Sequence, residues 1–113
     1  MRRLIPLAAV LVASLAVVPA VFEELFFRGW LWEASRRRGH TPAVTACLTA
    51  VPWVLLHGID APGRVLVLIP AALIFSFARH AAGSVRGSLA VHMTNNTAAV
   101  LMQTLAALFG PEA

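Results

Sequence analysis

The sequence predicts an all-α integral membrane protein, a bundle of about four transmembrane helices. Of its 113 residues, 59% are hydrophobic and 12% are charged, so a soluble domain of this length would expose much apolar surface to water. The apolar residues fall into long runs separated by short polar segments, without the alternation typical of strands. At roughly 20 residues per span, this length allows about four helices. We therefore predict one membrane-embedded domain, residues 1–113.

The first predicted span, 4–34, opens with the uncharged stretch 4–22. This start also resembles a secretory signal peptide, but the apolar character continues as far as Trp32, which favours a retained helix. A straight helix over 4–34 would measure about 46 Å, more than the roughly 30 Å hydrocarbon core. Pro19 therefore predicts a kink or break that lets the second half of this segment tilt.

The three remaining spans are predicted from apolar runs that end at glycine, proline or charged residues. The third of the four spans is the shortest, and it can cross the bilayer only if Arg64 and Arg79 extend toward the headgroups. Cys47 has no cysteine partner and is interpreted as a small buried hydrophobic residue. The predicted boundaries of these spans are 42–60, 64–80 and 87–110.

The formal charge of +4 comes from arginines that lie between the apolar blocks. This placement is typical of membrane anchors and topology signals, and it argues against nucleic-acid binding. Spans that cross in alternating directions leave more arginines on one side of the membrane than on the other. The richer side is expected to be cytoplasmic, which places the loop at 36–38 in the cytoplasm of a prokaryotic cell and both termini outside. The larger group is Arg36, Arg37, Arg38, Arg79 and Arg86, and the smaller group is Arg2, Arg3 and Arg64.

Ionisable side chains within predicted spans are costly in lipid and usually functional. Glu24 and Arg28 are four residues apart on one helix face, with the acid on the N-terminal side, which favours an ion pair. Glu23 lies about 100° around the helix and lacks this partner. We therefore expect Glu24 to be held ionised and Glu23 to accept protons. The alternative is a structural ion pair, with Glu23 at the level of the headgroups.

The second span contributes His57, which by itself is more typical of an interfacial residue than of a ligand or base. Trp53 lies one helical turn earlier, where it would pack beside the His57 ring. In the last span, His92 and Asn96 project from one face. Ser88 and Gln103 fall near the same stripe, and for these two we expect hydrogen bonds between helices.

The predicted depths of the polar residues allow a common site. At about 1.5 Å of rise per residue, the polar residues of the three helices lie roughly 9–20 Å from the same membrane side. They can therefore converge in one half of the bilayer. The residues concerned are Glu23, His57, His92 and Asn96.

The three motifs, in this order on successive membrane helices, resemble those of the CPBP (CAAX protease and bacteriocin-processing, Abi) family of intramembrane proteases. That family includes the Ras-converting CAAX prenyl endopeptidases, and its members commonly carry additional membrane helices. The second motif usually begins with Phe, where this chain has tryptophan. The motifs are Glu-Glu-x-x-x-Arg at Glu23, Glu24 and Arg28, aromatic-x-x-x-His at Trp53 and His57, and His-x-x-x-Asn at His92 and Asn96.

The resemblance implies an intramembrane endopeptidase that hydrolyses a membrane-associated peptide or precursor. Glu23 would match the catalytic glutamate, and His57 the histidine that acts with it on water. His92 and Asn96 would match the pair that stabilises the oxyanion. Glu24 and Arg28 would support the site structurally, as Trp53 would by packing.

The sequence demands no cofactor, because it contains no His-Glu-x-x-His helix. In a metal-dependent variant, Glu23, His57 and His92 would bind zinc as a His₂Glu set. Two other hypotheses stay open: a non-catalytic peptide-binding or bacteriocin-immunity protein, and a structural membrane segment without a site. The expected partners are a peptide or membrane-protein substrate and the lipid bilayer, and a polar groove of this kind is compatible with a homo-oligomer.

Overall fold

The structure, a computed structural model, describes residues 4–111 as four helices joined by short turns. No strand occurs within this range, so the predicted all-α class is confirmed. Arg2 and Arg3, which entered the predicted orientation, lie outside the described residues.

The first helix, α1, continues without a break past Pro19 and ends at Arg37, beyond the predicted end at residue 34. Pro19 has no N–H to donate, and its ring would clash with the carbonyl of Leu15, four residues earlier, in a regular α-helix. The chain widens there into a π-helical turn, which relieves this clash. A second π-helical turn follows the two glutamates. The successive segments of α1 are Leu4–Val12, Ala13–Val17 (π), Val18–Glu24, Leu25–Leu31 (π) and Trp32–Arg37.

Helices α2 to α4 begin and end at residues whose chemistry fits those places. The Thr41 side chain accepts a hydrogen bond from the Val44 N–H at the start of α2, and Ser84 caps α4 in a similar manner. Gly83 ends α3 with a positive φ of 69°, which favours glycine. The bounds are Pro42–Gly58 for α2, Val65–Ala82 for α3 and Val85–Phe109 for α4, with a 3₁₀ turn at Pro62–Arg64.

Two helical segments are long and apolar enough to cross a bilayer: Pro6–Arg37, and Pro62–Ala82, which joins the 3₁₀ turn to α3. Pro42–Gly58 is apolar but shorter. Together with four packed helices, these segments agree with the predicted all-α membrane bundle. The number of crossings stays a prediction.

The bundle is polar inside and apolar outside, as expected for a protein whose solvent is lipid. Helix α3 packs against both α2 and α4, and α1 lies across α2 and α4. Buried charged and polar side chains share the interior with a small aromatic and aliphatic core. The core consists of Phe27, Ala50, Trp53, Val54, Ala72 and Phe75, and the buried polar residues include Glu24, Arg28, Thr45, Thr49, Ser88 and His92.

Three sequence-based expectations about single residues are wrong. Cys47 is exposed, because α2 and α3 leave an open apolar groove beside it instead of closing over the side chain. Ser88 is buried, but it donates to the Val85 carbonyl of its own helix rather than to another helix. Gln103 is exposed, as is the whole segment 101–111, so no neighbouring helix covers it.

Arg79 also contradicts its expected role as a residue that extends toward the headgroups. Its side chain is buried in the bundle, where Nε donates to the Arg28 carbonyl at 2.8 Å. One Nη donates to a Glu33 carboxylate oxygen at 2.7 Å. Burial of a guanidinium is costly, and these two charge-assisted hydrogen bonds offset part of that cost. Arg64 is exposed, in keeping with its predicted place at the helix end.

Candidate active site

The predicted site residues come from three helices and meet beside one cavity of about 350 Å³. Glu23 and Glu24 end the Val18–Glu24 segment of α1, directly before the second π-helical turn. Part of the cavity wall is apolar and is formed by α1, α3 and α4. The polar residues that line the cavity are Glu23, Trp53, His57, His92, Asn95 and Asn96.

Glu23 contacts both residues of the second motif. One carboxylate oxygen lies 3.0 Å from His57 Nε2, and the other accepts a hydrogen bond from Trp53 Nε1 at 3.0 Å. His57 Nδ1 lies 2.8 Å from the Trp53 carbonyl, which can only accept. Nδ1 therefore carries a hydrogen, and a further proton must lie between His57 Nε2 and the Glu23 carboxylate. This pair can exchange a proton directly.

Glu24 forms the predicted ion pair and also contacts the third motif. Its Oε1 accepts from an Arg28 Nη at 3.0 Å and lies 2.7 Å from His92 Nδ1. Both Glu24 and Arg28 are fully buried, and the second Arg28 Nη donates to the Ala72 carbonyl of α3 at 3.2 Å. The ion pair therefore joins α1, α3 and α4 at one point, and it fixes the tautomer of His92.

His92 is also held by aromatic rings, one of which the sequence analysis missed. Phe75 of α3 stacks on the His92 imidazole with 4.3 Å between ring centroids. Trp53 meets the same ring edge-on at 5.7 Å and packs beside the His57 ring at 4.4 Å. The Arg28 guanidinium lies 5.3 Å from the Trp53 ring centroid and 5.4 Å from that of Phe75. Phe75 belongs to none of the motifs, so only its apolar character on α3 marked it in the sequence.

His92 and Asn96 differ in how they face the cavity. His92 Nε2 lies 3.6 Å from a Glu23 carboxylate oxygen and so points toward the first carboxylate. Asn96 Nδ2 donates to the carbonyl of Ala16, in the first π-helical turn of α1, at 3.1 Å. One of the two Asn96 amide hydrogens is thus engaged, and one remains for another acceptor.

The charged partners of the cluster divide unequally between the two carboxylates. Arg28 contacts Glu24 at 3.0 Å, whereas Glu23 lies 3.0 Å from His57 Nε2 and 3.6 Å from His92 Nε2. The guanidinium therefore pairs with Glu24, and the two histidines are the neighbours of Glu23.

The zinc hypothesis can be tested against the donor atoms. Glu23 and the Nε2 atoms of His57 and His92 are chemically suitable ligands, and each histidine holds an acceptor at Nδ1, as zinc-binding histidines do. In their arrangement, however, Glu23 and His57 contact each other directly. Among residues 4–111, no group of three or more His, Cys, Asp or Glu side chains is placed to hold a metal ion. The metal-free site and the zinc-bound site both stay hypotheses.

A second ion pair, which the sequence analysis missed, supports the site from outside. Arg79 of α3 joins the Arg28 carbonyl to Glu33 and lies 5.3 Å from the Trp32 ring centroid. The Arg28 carbonyl belongs to the second π-helical turn of α1, which carries the Glu24 ion pair partner. Opposite charges at the ends of neighbouring predicted spans were the available signal for this contact.

Replacing Arg79 by Met is expected to lower the free energy of unfolding by about 1.5–3 kcal/mol, because two charge-assisted hydrogen bonds disappear. Reversible unfolding of the purified protein in mixed micelles measures this loss. Arg37→Met is the matched control, since Arg37 is exposed on the same end of the bundle. An equal effect of the two substitutions would show that the Arg79 contacts contribute nothing.

The chain matches a known family over most of its length. The family model "Type II CAAX prenyl endopeptidase Rce1-like" matches residues 5–98, which include every predicted site residue. The chain belongs to this Rce1-like family. The resemblance inferred from the motifs is thereby confirmed, and the chain is placed among membrane-embedded CAAX-type proteases. No match was found among curated proteins or solved structures.

Proposed function

We propose that this Rce1-like protein is an intramembrane endopeptidase in which Glu23, assisted by His57, activates a water molecule. The observation that carries the proposal is the difference between the two adjacent carboxylates. Glu24 is fully buried and paired with Arg28, whereas Glu23 lines the cavity, is partly exposed and shares a proton with His57. A carboxylate beside a proton carrier in an accessible cavity is suited to general acid–base catalysis.

In the proposed reaction, a water molecule in the cavity gives a proton to the Glu23 carboxylate while its oxygen adds to the carbonyl carbon of the peptide bond. The negative charge that develops on the carbonyl oxygen is stabilised by N–H groups. The proton then passes to the leaving nitrogen, either from Glu23 or through His57. The C–N bond breaks, and the products are a carboxylic acid and an amine.

The proposed oxyanion donors are the remaining Asn96 amide N–H and His92 Nε2. Since His92 Nδ1 is engaged by Glu24, Nε2 can donate only when the imidazole carries both protons. The Glu24 carboxylate, 2.7 Å from Nδ1, holds the ring with Nε2 directed toward Glu23. Arg28 is the second group bound to the Glu24 carboxylate, and we propose that it holds Glu24 in place rather than acts on the substrate.

The apolar part of the cavity wall favours an apolar substrate segment. This wall and the helices around it support a reaction within the membrane, and we propose a multi-pass protein of a prokaryotic cell membrane. The substrate would be a small membrane-associated peptide or the anchored part of a precursor. The apolar wall residues include Leu15, Pro19, Val67, Leu68, Ala71 and Ala99.

The proposal is tested by expressing the wild type and Glu23→Gln in one host and comparing the peptides of membranes and medium by mass spectrometry. Peptides that appear with the wild type and not with Glu23→Gln are the expected result. Asp60→Asn serves as a control, because this carboxylate is exposed and lies outside the cavity. Identical peptide sets from all three strains would contradict hydrolysis and favour the peptide-binding or immunity function.

A further inference from the structure

Asn95 lines the same cavity as Glu23, but it belongs to none of the three motifs. It follows His92 by three residues on α4 and precedes Asn96 by one, so these three side chains form one face of the helix. The Asn95 side chain is exposed to the cavity. Its position alone would allow either a lipid contact or a substrate contact.

Hydrogen bonding separates Asn95 from its neighbours. The Thr94 hydroxyl donates to the Ala90 carbonyl of its own helix, and Asn96 donates to Ala16. The Asn95 amide makes no hydrogen bond to another group within residues 4–111. About 15 Å of helix separates Asn95 from the start of α4, which is about half of the hydrocarbon thickness. An unpartnered amide at this depth is costly unless the cavity supplies a partner.

We infer that the Asn95 amide binds the backbone of the peptide substrate beside the bond that is cut. This inference rests on the proposed peptidase function. A carboxamide offers two donors and an acceptor, which complement the C=O and N–H of an extended peptide. Among the described residues that line the cavity, Glu23 alone carries a carboxylate or guanidinium group, and much of the wall is apolar. Such a wall offers little to fix the direction of the substrate chain. The Asn95 amide supplies this orientation.

The inference gives Asn95 a kinetic role different from that of Asn96. A hydrogen bond to a backbone group next to the cleaved bond is the same in the bound substrate and in the transition state. Loss of such a bond raises KM and leaves kcat nearly unchanged, whereas loss of an oxyanion donor lowers kcat. A net hydrogen-bond contribution typical of proteins corresponds to a rise in KM of about 3- to 10-fold.

The experiment uses the full chain in lipid nanodiscs and an internally quenched synthetic peptide that contains the bond cleaved in wild-type cells. Asn95→Ala is expected to raise KM about 3- to 10-fold with kcat within about twofold of wild type. Thr94→Ala is the matched control, because it removes a neighbouring polar group that is satisfied within its own helix. Unchanged KM in Asn95→Ala, or equal changes in both variants, would overturn the inference.

A second measurement separates substrate contact from a structural effect. Single amide bonds of the peptide, on either side of the cleaved bond, are replaced in turn by esters, which lack the N–H and have a weaker carbonyl acceptor. At one position the ester should reduce the effect of Asn95→Ala to less than about twofold, because the partner group is already lost. An undiminished effect with every ester would refute direct contact. If the wild type cleaves none of these peptides, the proposed function itself fails and the inference falls with it.

Discussion

Purified Glu23→Gln is expected to hydrolyse the quenched peptide with a kcat about 10²- to 10⁴-fold below that of the wild type, the range associated with loss of a general base. The wild-type Glu23 carboxylate lines the cavity, where it can accept a proton from water, and one of its oxygens lies 3.0 Å from His57 Nε2. The neutral amide of glutamine cannot accept a proton from water. KM should change little, since the substrate contacts proposed for this site come from other groups.

The same substitution should leave the fold intact. The glutamine oxygen can accept from Trp53 Nε1 as the carboxylate does, and the glutamine NH₂ can donate to His57 Nε2. His57 then remains in the tautomer that donates from Nδ1 to the Trp53 carbonyl. Both hydrogen bonds of Glu23 are thus preserved, and a thermal unfolding midpoint close to that of the wild type would show that the lost activity is chemical.

Two controls make this result specific. Asp60→Asn removes an exposed carboxylate outside the cavity and should retain wild-type kcat. Wild-type activity should also survive removal of metal by a chelator, because the proposed activation of water by Glu23 and His57 needs no metal. A Glu23→Gln variant with more than about a tenth of wild-type kcat would contradict the role of Glu23 as general base. Activity that returns only with zinc would instead support the metal-dependent hypothesis.

Arg28→Met is expected to lower the free energy of unfolding by about 3–5 kcal/mol, the largest stability effect of any single change considered. Arg28 and Glu24 are both fully buried, so removal of the guanidinium leaves a buried carboxylate without its counter-ion. His92 remains beside Glu24 at 2.7 Å, but the contact of the carboxylate with the guanidinium at 3.0 Å is lost. The bond to the Ala72 carbonyl is lost as well, which loosens the contact between α1 and α3.

A double substitution tests this explanation. In Glu24→Gln combined with Arg28→Met, the uncompensated charge is gone, and much of the lost stability should return. Methionine has an apolar side chain that can pack between the Trp53 and Phe75 rings. Arg37→Met is the exposed control, and unfolding in mixed micelles is the measurement. Equal stabilities of the single and the double variant would contradict an effect of the unpaired Glu24 charge.

The sequence determined the features that depend on local helix geometry. Residues four apart on an α-helix share a face, whatever surrounds the helix. The pairing of Glu24 with Arg28 and the packing of Trp53 beside His57 follow from this spacing and are present in the structure. Composition likewise sufficed for the all-α membrane class, because lipid requires backbone hydrogen bonds within the spanning segments.

Depth along the membrane could also be estimated from sequence, since the rise per residue of a helix is fixed. Glu23, His57 and His92 were expected at similar depth, and they do meet. Depth does not give rotation about the helix axis, however. Nor does depth show where neighbouring helices leave a side chain uncovered: Cys47 borders an open groove between α2 and α3, and Gln103 lies in the exposed segment 101–111.

Only the tertiary structure decided which groups from different helices touch. Glu23 reaches Trp53 and His57 across α1 and α2, Phe75 stacks on His92, and Arg79 binds the Arg28 carbonyl. These contacts depend on the tilt and rotation of each helix, which follow from packing over the whole bundle and have no periodic trace in the sequence. The two π-helical turns likewise have no periodic trace in the sequence. One lies just before Pro19, and the other carries the carbonyl that accepts from Arg79. The sequence therefore supplied the chemical groups of the site, and the packing of the helices decided which of them became partners.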